Sequence, residues 1–210
     1  MASANAFIDS SYFEQFSGLS LTPEEIINLD ILIDSVLYIF ESFCSRKLKA
    51  RDFSYLVNSD SYSVFDGPNG TVFRFPTYPV NSLTTFIVDE DTISVASNYA
   101  DSDGYFLYGD MGSLVYSKGF SFGYHQNVKL VWNGGYGAIH ESYSLLQQLT
   151  YLLVKKLWDD SAGDINPDII SERTLNYSYT KMNPQEMSRM FGLPLYVFYN
   201  LGRFKRIVIG

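Results

Sequence analysis

Residues 128–157, VKLVWNGGYGAIHESYSLLQQLTYLLVKKL, constrain the chain more than any other stretch, because two incompatible periods meet there at a glycine-rich corner. Val128, Leu130 and Trp132 alternate with Lys129, Val131 and Asn133, which is the two-residue period of a strand. Gly134, Gly135 and Gly137 then admit backbone angles closed to other residues. From Glu141 the spacing becomes helical. Leu145, Leu146, Leu149, Leu152, Leu153 and Leu157 fall at steps of one, three and four and predict one wide apolar face over about 141–158.

A second helix is announced by Thr22-Pro23-Glu24-Glu25. Thr22 can cap, Pro23 suits the first helical position, and Glu25 completes a capping box. Ile26, Leu29, Ile33, Val36, Phe40 and Phe43 follow at helical steps, so the helix is expected over about 23–45. Residues 50–135 read as antiparallel β-structure. Tyr62, Val64 and Phe65 and then Val72, Phe73 and Phe75 flank Asp66-Gly67-Pro68-Asn69-Gly70, a pattern expected to form a hairpin. Further strands are expected at 83–88, 105–108 and 114–116. Beyond the loop at 159–168, alternation of Leu175, Tyr177 and Tyr179 predicts a β-arm over 169–181. Asn183-Pro184-Gln185-Glu186 is a second capping box, and Leu193-Pro194 opens a last short helix carrying Leu195, Phe198 and Leu201. The expected fold class is therefore α+β: an α-helical bundle with long helices at about 23–45 and 141–158 and short C-terminal helices, with a large antiparallel β portion inserted at about 50–135. The expected division is an N-terminal arm (1–20), one domain (21–206) and a tail (207–210).

Composition narrows the function. The 210 residues are 46% hydrophobic and 18% charged, as in a globular chain, and the net charge of −8 disfavours non-specific DNA binding. Seventeen Tyr and 16 Phe suit β-rich folds or large contact surfaces. Charge is segregated: residues 1–45 hold seven acids and no Lys or Arg, whereas after Glu186 only Arg189, Arg203, Lys205 and Arg206 are charged. This is either ordinary solvated surface or head-to-tail complementarity between subunits. The single cysteine, Cys44, excludes an internal disulfide and a cysteine-based zinc site, and reads as a buried helix residue. No signal peptide and no membrane-spanning segment are expected.

The catalytic inventory is thin. Gly119-Phe120-Ser121-Phe122-Gly123 matches the G-x-S-x-G elbow, but strand rather than helix is expected after it, and His125 lies too near in the chain to act as base. Gly134-Gly135-Tyr136-Gly137 lacks the Lys-Ser/Thr of a phosphate loop. Asp101-Ser102-Asp103-Gly104 lacks the glutamate and glycine positions of a calcium loop. His125 and His140 have no evident co-ligands. Arg203, Lys205 and Arg206 around Phe204 give only a weak phosphate-contact signal. No catalytic, cofactor or metal residue is assigned, and elimination points to a binding or structural protein. The alternative of a hydrolase rests on Ser121 alone.

Five places in order resemble the head–tail connector (adaptor) proteins of tailed bacteriophages: Phe40-Glu41-Ser42-Phe43-Cys44-Ser45-Arg46-Lys47-Leu48 at the end of the first long helix; Pro79-Val80-Asn81-Ser82-Leu83 at a strand start; Lys118-Gly119-Phe120 with the strand at 128–132; the corner Gly134-Gly135-Tyr136-Gly137-Ala138-Ile139; and Ile170-Ser171-Glu172-Arg173 through Tyr177-Ser178. The resemblance runs over about 22–206. It implies a non-enzymatic virion part, made in the host cytoplasm, forming a dodecameric ring in the neck between the portal protein and a tail stopper, tail-tube or tail-completion protein. Double-stranded DNA would pass through its channel without specific binding. It further implies portal docking by Leu193, Pro194, Val197, Leu201, Arg203, Phe204, Lys205 and Arg206, and a subunit-interface arm with Ser171, Glu172, Arg173, Tyr177 and Tyr179. The alternative within the virion is a tail-completion or baseplate component.

Overall fold

Thr22 opens the longest helix as its sequence predicts. In the computed structural model, which describes residues 6–53, 63–65, 70–97, 103–120, 127–161 and 193–205, the Thr22 hydroxyl accepts the Glu25 N–H while the Glu25 carboxylate accepts the Thr22 N–H at 2.7 Å. These bonds hold the Glu25 carboxyl below its ordinary range, the Thr22 backbone contributing most. The helix contribution of the box is thus present above the ordinary Glu range and fades as pH falls through the lowered value. Thr22→Ala is expected to cost about 1 kcal/mol and to flatten the acid limb of the stability curve, measured by denaturant unfolding from pH 3 to 7.

The chain forms two compact units, one from residues 1–47 and 138–210, the other from residues 48–137. The first contains α1 (Ser10–Ser17), α2 (Pro23–Cys44), α3 (Tyr143–Ser161) and α4 (Leu195–Leu201), which runs into a 3-10 turn (Gly202–Phe204). Asp9 caps α1 by accepting the Tyr12 N–H, and Gly18 ends it in the left-handed region. α1 lies within the segment expected as an arm. Its Phe13 is fully buried, with ring centroids 5.9 Å from Tyr151 and 5.8 Å from Trp158 of α3. α2 buries Leu29, Leu32, Ile33, Val36, Phe40 and Phe43. Each fully buried side chain of this size stabilises by roughly 1.5–3 kcal/mol.

α3 buries the centre of the face its leucines predict, but not Leu152. Leu146, Leu149, Thr150, Leu153, Val154 and Trp158 are buried, whereas Leu152 is exposed and Leu145 and Leu157 are half-buried. Val154 and Trp158, the latter packed on Phe13, complete the buried stripe. Thr150 satisfies its hydroxyl on the Leu146 carbonyl at 2.7 Å.

The second unit contains β1 (Arg51–Phe53), β2 (Ser63–Phe65), β3 (Gly70–Arg74), β4 (Val80–Val88), β5 (Asp91–Thr92), β6 (Tyr105–Tyr108), β7 (Ser113–Phe120) and β8 (Val128–Gly134). One antiparallel sheet has the order β1-β8-β4-β5, with β2 also on β8; the other has the order β3-β7-β6. β8 is the spine of the first. Its Val128, Leu130 and Trp132 are buried, as the alternation predicts, and join Phe53, Phe86 and Val88 in one core with Phe73, Tyr105, Leu114, Tyr116 and Phe120 of the other sheet. Phe86 meets Tyr105 and Tyr116 edge-on at 5.3 and 5.8 Å. An offset or edge-on aromatic pair adds about 0.5–1.5 kcal/mol beyond burial.

Two expectations are corrected. The chain is not an α-helical bundle of long helices with an attached β portion. The described residues hold four helices, of 8, 22, 19 and 7 residues, and two antiparallel sheets that have a core of their own. The aromatic strand positions at 73, 86, 116, 120 and 132 fill that core between them. The expected hairpin around 66–70 is also corrected: among the described residues, β2 pairs with β8 and β3 with β7, so the two runs enter different sheets. Turn residues mark a change of direction but do not select the partner strand.

At the glycine corner, Gly135 has φ +106°, donates to the Pro79 carbonyl at 2.8 Å, and is followed by Tyr136, whose N–H reaches Leu48 at 2.7 Å. The corner is thereby clamped between residues 48–50 and Pro79.

Candidate functional site

The C-terminal element is where the sequence placed docking residues, and the structure shows how it is held. Ser45 adopts a left-handed conformation (φ 54°) that ends α2, and the Arg46 N–H returns to the Glu41 carbonyl at 3.2 Å. This turn aims the buried Arg46 side chain at the last segment. Its Nε donates to the Phe204 carbonyl at 2.6 Å. A charge-assisted bond of this kind fixes the chain direction as well as adding stability. Phe198 of α4 packs on Phe43 with centroids 5.0 Å apart, and the Lys205 ammonium lies 4.4 Å over the same Phe43 ring. Lys47 pairs with the largely buried Glu41 at 2.8 Å.

The Cys44 thiol donates weakly to the Leu201 carbonyl at 3.7 Å. Burial pushes its pKa up to about 12, against the opposing pull of Arg46 and Lys205. Thiolate is the reactive form, so Cys44 is expected to ignore thiol reagents at pH 8 in the folded protein. Labelling followed against denaturant should track unfolding of α4 from α2; fast labelling in buffer would contradict this placement.

Of the docking residues expected from the sequence, Leu193, Val197, Leu201 and Phe204 are buried in their own unit, Pro194 and Lys205 are half-buried, Arg203 is exposed, and Arg206 lies outside the described residues. The outer face of α4 is instead made by Leu195, Tyr196 and Tyr199, all exposed. Sequence reasoning grouped Leu195 with Phe198 and Leu201 and did not single out Tyr196 or Tyr199. The available signal was that LYVFYNL carries six apolar residues in seven, more than one buried face of a two-turn helix can hold. The arm residues Ser171, Glu172, Arg173, Tyr177 and Tyr179 lie outside the described residues, as do the second capping box, Ser121, His125, Asp101 and Ser102.

The remaining chemistry-bearing positions take structural roles. His140 Nδ1 accepts the Ser142 N–H at 3.1 Å just before α3. Asp103 pairs with Lys118 at 3.4 Å on the surface of the β unit. A cleft of about 500 Å³ along β6 is lined by Leu83, Val95, Tyr105, Phe106, Leu107 and Tyr108. Burial raises the Tyr105 phenol above its ordinary value. These lining residues include no carboxylate, imidazole or thiol to move a proton at neutral pH. Among the described residues no group of three or more His, Cys, Asp or Glu side chains is placed to hold a metal ion, and no helix is long and apolar enough to cross a membrane.

No family model and no curated protein matches the chain. Solved structures do. A chain in "Neck of empty GTA particle computed with C6 symmetry" (GTA, gene transfer agent) is similar over all of this chain and 95% of that one, with a TM-score of 0.58 and 14% identity. A chain in "Neck of native GTA particle computed with C12 symmetry" is similar over all of this chain and 94% of that one, with a TM-score of 0.52 and 14% identity. Along its whole length the chain therefore shares the fold of chains from the neck of a phage-like particle.

Proposed function

We propose that this protein is a structural, non-enzymatic part of a tailed-phage neck: a head–tail connector that forms a ring on the portal and continues the DNA channel towards the tail. The observation that carries the reading is the full-length likeness to neck chains. The C12 symmetry of one of those particles supports a ring of twelve copies. A net charge of −8 suits a conduit, because an acidic wall does not retain phosphate. The basic C-terminal end, with Arg203, Lys205 and Arg206, is the portal-docking end. Leu193, Val197, Leu201 and Phe204 anchor it from within. The 169–181 arm, with Ser171, Glu172, Arg173, Tyr177 and Tyr179, contacts the neighbouring subunit, and the tail stopper or tail-completion protein binds the opposite side of the ring.

The test is native mass spectrometry of the purified chain, alone and with the cognate portal protein. A ring on the portal is the expected result. A chain that ignores the portal and binds tail-tube or baseplate proteins would move it to the other virion role. Deleting residues 206–210 removes Arg206 and leaves every contact described above in place; portal capture should then fall at least tenfold. Undiminished capture would overturn the placement of docking at this end.

A further inference from the structure

Two exposed apolar patches of opposite charge setting lie at the two ends of α2. Near its start, Ile27 and Ile31 sit one turn apart on the solvent side, 59% and 42% exposed. Glu24 and Asp34 flank them at three-residue spacing. Residues 21–45 carry five acids (Glu24, Glu25, Asp30, Asp34, Glu41) and no Lys or Arg. At the other end, α4 is fixed to α2 through Phe43, Cys44 and Arg46 and turns Leu195, Tyr196 and Tyr199 outward. Arg203 follows Tyr199 by four residues, and residues 193–205 contain no acid.

At 1.5 Å per residue, Ile31 and Ile27 stand roughly 18–24 Å along the axis from the Phe43 anchor, whereas a seven-residue helix spans about 10 Å. The two patches are therefore separate surfaces of one copy. Pairing either patch with itself across a twofold axis sets like charges together: Glu24 and Asp34 against their equivalents, or Arg203 against its own. Pairing one with the other joins apolar to apolar and acidic to basic, which is how charge selects register at an interface. Such a contact is heterologous and propagates head to tail.

We propose that the outer face of α4 in one copy (Leu195, Tyr196, Tyr199) seats on the Ile27–Ile31 stripe of α2 in the next. The inference rests on the ring reading above, for which it supplies a subunit contact. α4 then has two sides with different duties. Its inner side holds the C-terminal segment to its own α2, and its outer side grips the neighbour.

The test uses the reactivity of introduced thiols, since the native Cys44 is buried beneath α4. Ile31→Cys and Tyr199→Cys are made singly and together, and each protein is oxidised both at high concentration and on the portal. Assembly is followed in parallel by native mass spectrometry. The expected result is a ladder of disulfide-linked oligomers from the double variant, dimers from a mixture of the two single variants, and monomer from either single variant alone. Rings that form without any ladder would overturn this contact and leave the ring reading standing. Dimers from Ile31→Cys alone would replace it with an α2–α2 contact. Neither rings nor cross-links would overturn both. Glu24→Lys and Arg203→Glu, each expected to weaken self-association without the portal about fivefold, should recover it when combined across the interface; failure to recover counts against the proposed register.

Discussion

Trp132→Ala is expected to destabilise the β unit by about 3–5 kcal/mol, the larger part of what a domain of this size has to lose. Trp132 is almost fully buried at the centre of β8. Its ring stacks on Phe53 at 4.9 Å and lies 5.5 Å from Phe75. β1 is held to β8 at this point, through the Phe53↔Trp132 pair in the register. Truncation therefore leaves a cavity and removes the side chain against which a three-residue strand packs. Denaturant unfolding read through Phe53 and β8 amides by hydrogen exchange should show β1 released first. A loss below about 1 kcal/mol would mean that the site collapses around the gap, against the close packing described.

Gly135→Ala is expected to cost ~2–6 kcal/mol, the sum of strain at a positive φ (about 1–3) and forced overpacking (about 1–3). The residue sits at φ +106°. A Cβ there would lie 2.6 Å from the Lys49 carbonyl oxygen and 2.8 Å from that of Leu48, both backbone atoms that cannot swing away. The same substitution at Gly137, where a Cβ would meet only the Ala50 side chain at 3.6 Å, should be tolerated. Comparing the two midpoints separates the demand of one backbone position from a general aversion of the corner to side chains. Equal effects would refute the assignment of the constraint to Gly135.

Local signals in the sequence were legible where the physics is local. Thr22 and Glu25 cap one another within four residues, and β8 alternates because one side of a strand faces a core. What escaped is decided at a distance. The partner of β2 is β8, some 65 residues further along, and no turn chemistry at 66–70 encodes that choice. On α3 the leucine spacing rightly placed Leu146, Leu149 and Leu153 inside but also Leu152, which is exposed, and did not single out Trp158, which packs on Phe13. The fold class failed for a related reason. Helical periodicity over 23–45 and 141–158 is a stronger pattern than the short strands, which led to a bundle being taken as the frame, while the strands contain enough aromatic residues for a core of their own. At α4 and the turn after it, Phe43 with Phe198 and Arg46 with the Phe204 carbonyl join positions about 155 residues apart. The exposed side of α4 becomes visible only once those contacts show which side is inward.

The order in which the chain leaves the ribosome gives the split first unit a further consequence. Among the described residues, every sheet partner of 48–137 lies within 48–137, so this unit can close as soon as β8 has emerged. α1 and α2 precede that unit in the chain yet are completed after it. Phe13 gains its Trp158 neighbour only after α3 is made, and Phe43 and Cys44 are covered only once residues 198–204 have followed. A chain cut before residue 198 would leave Phe43 and Cys44 uncovered at the end of α2, the kind of exposed apolar surface that makes partly folded chains prone to aggregate.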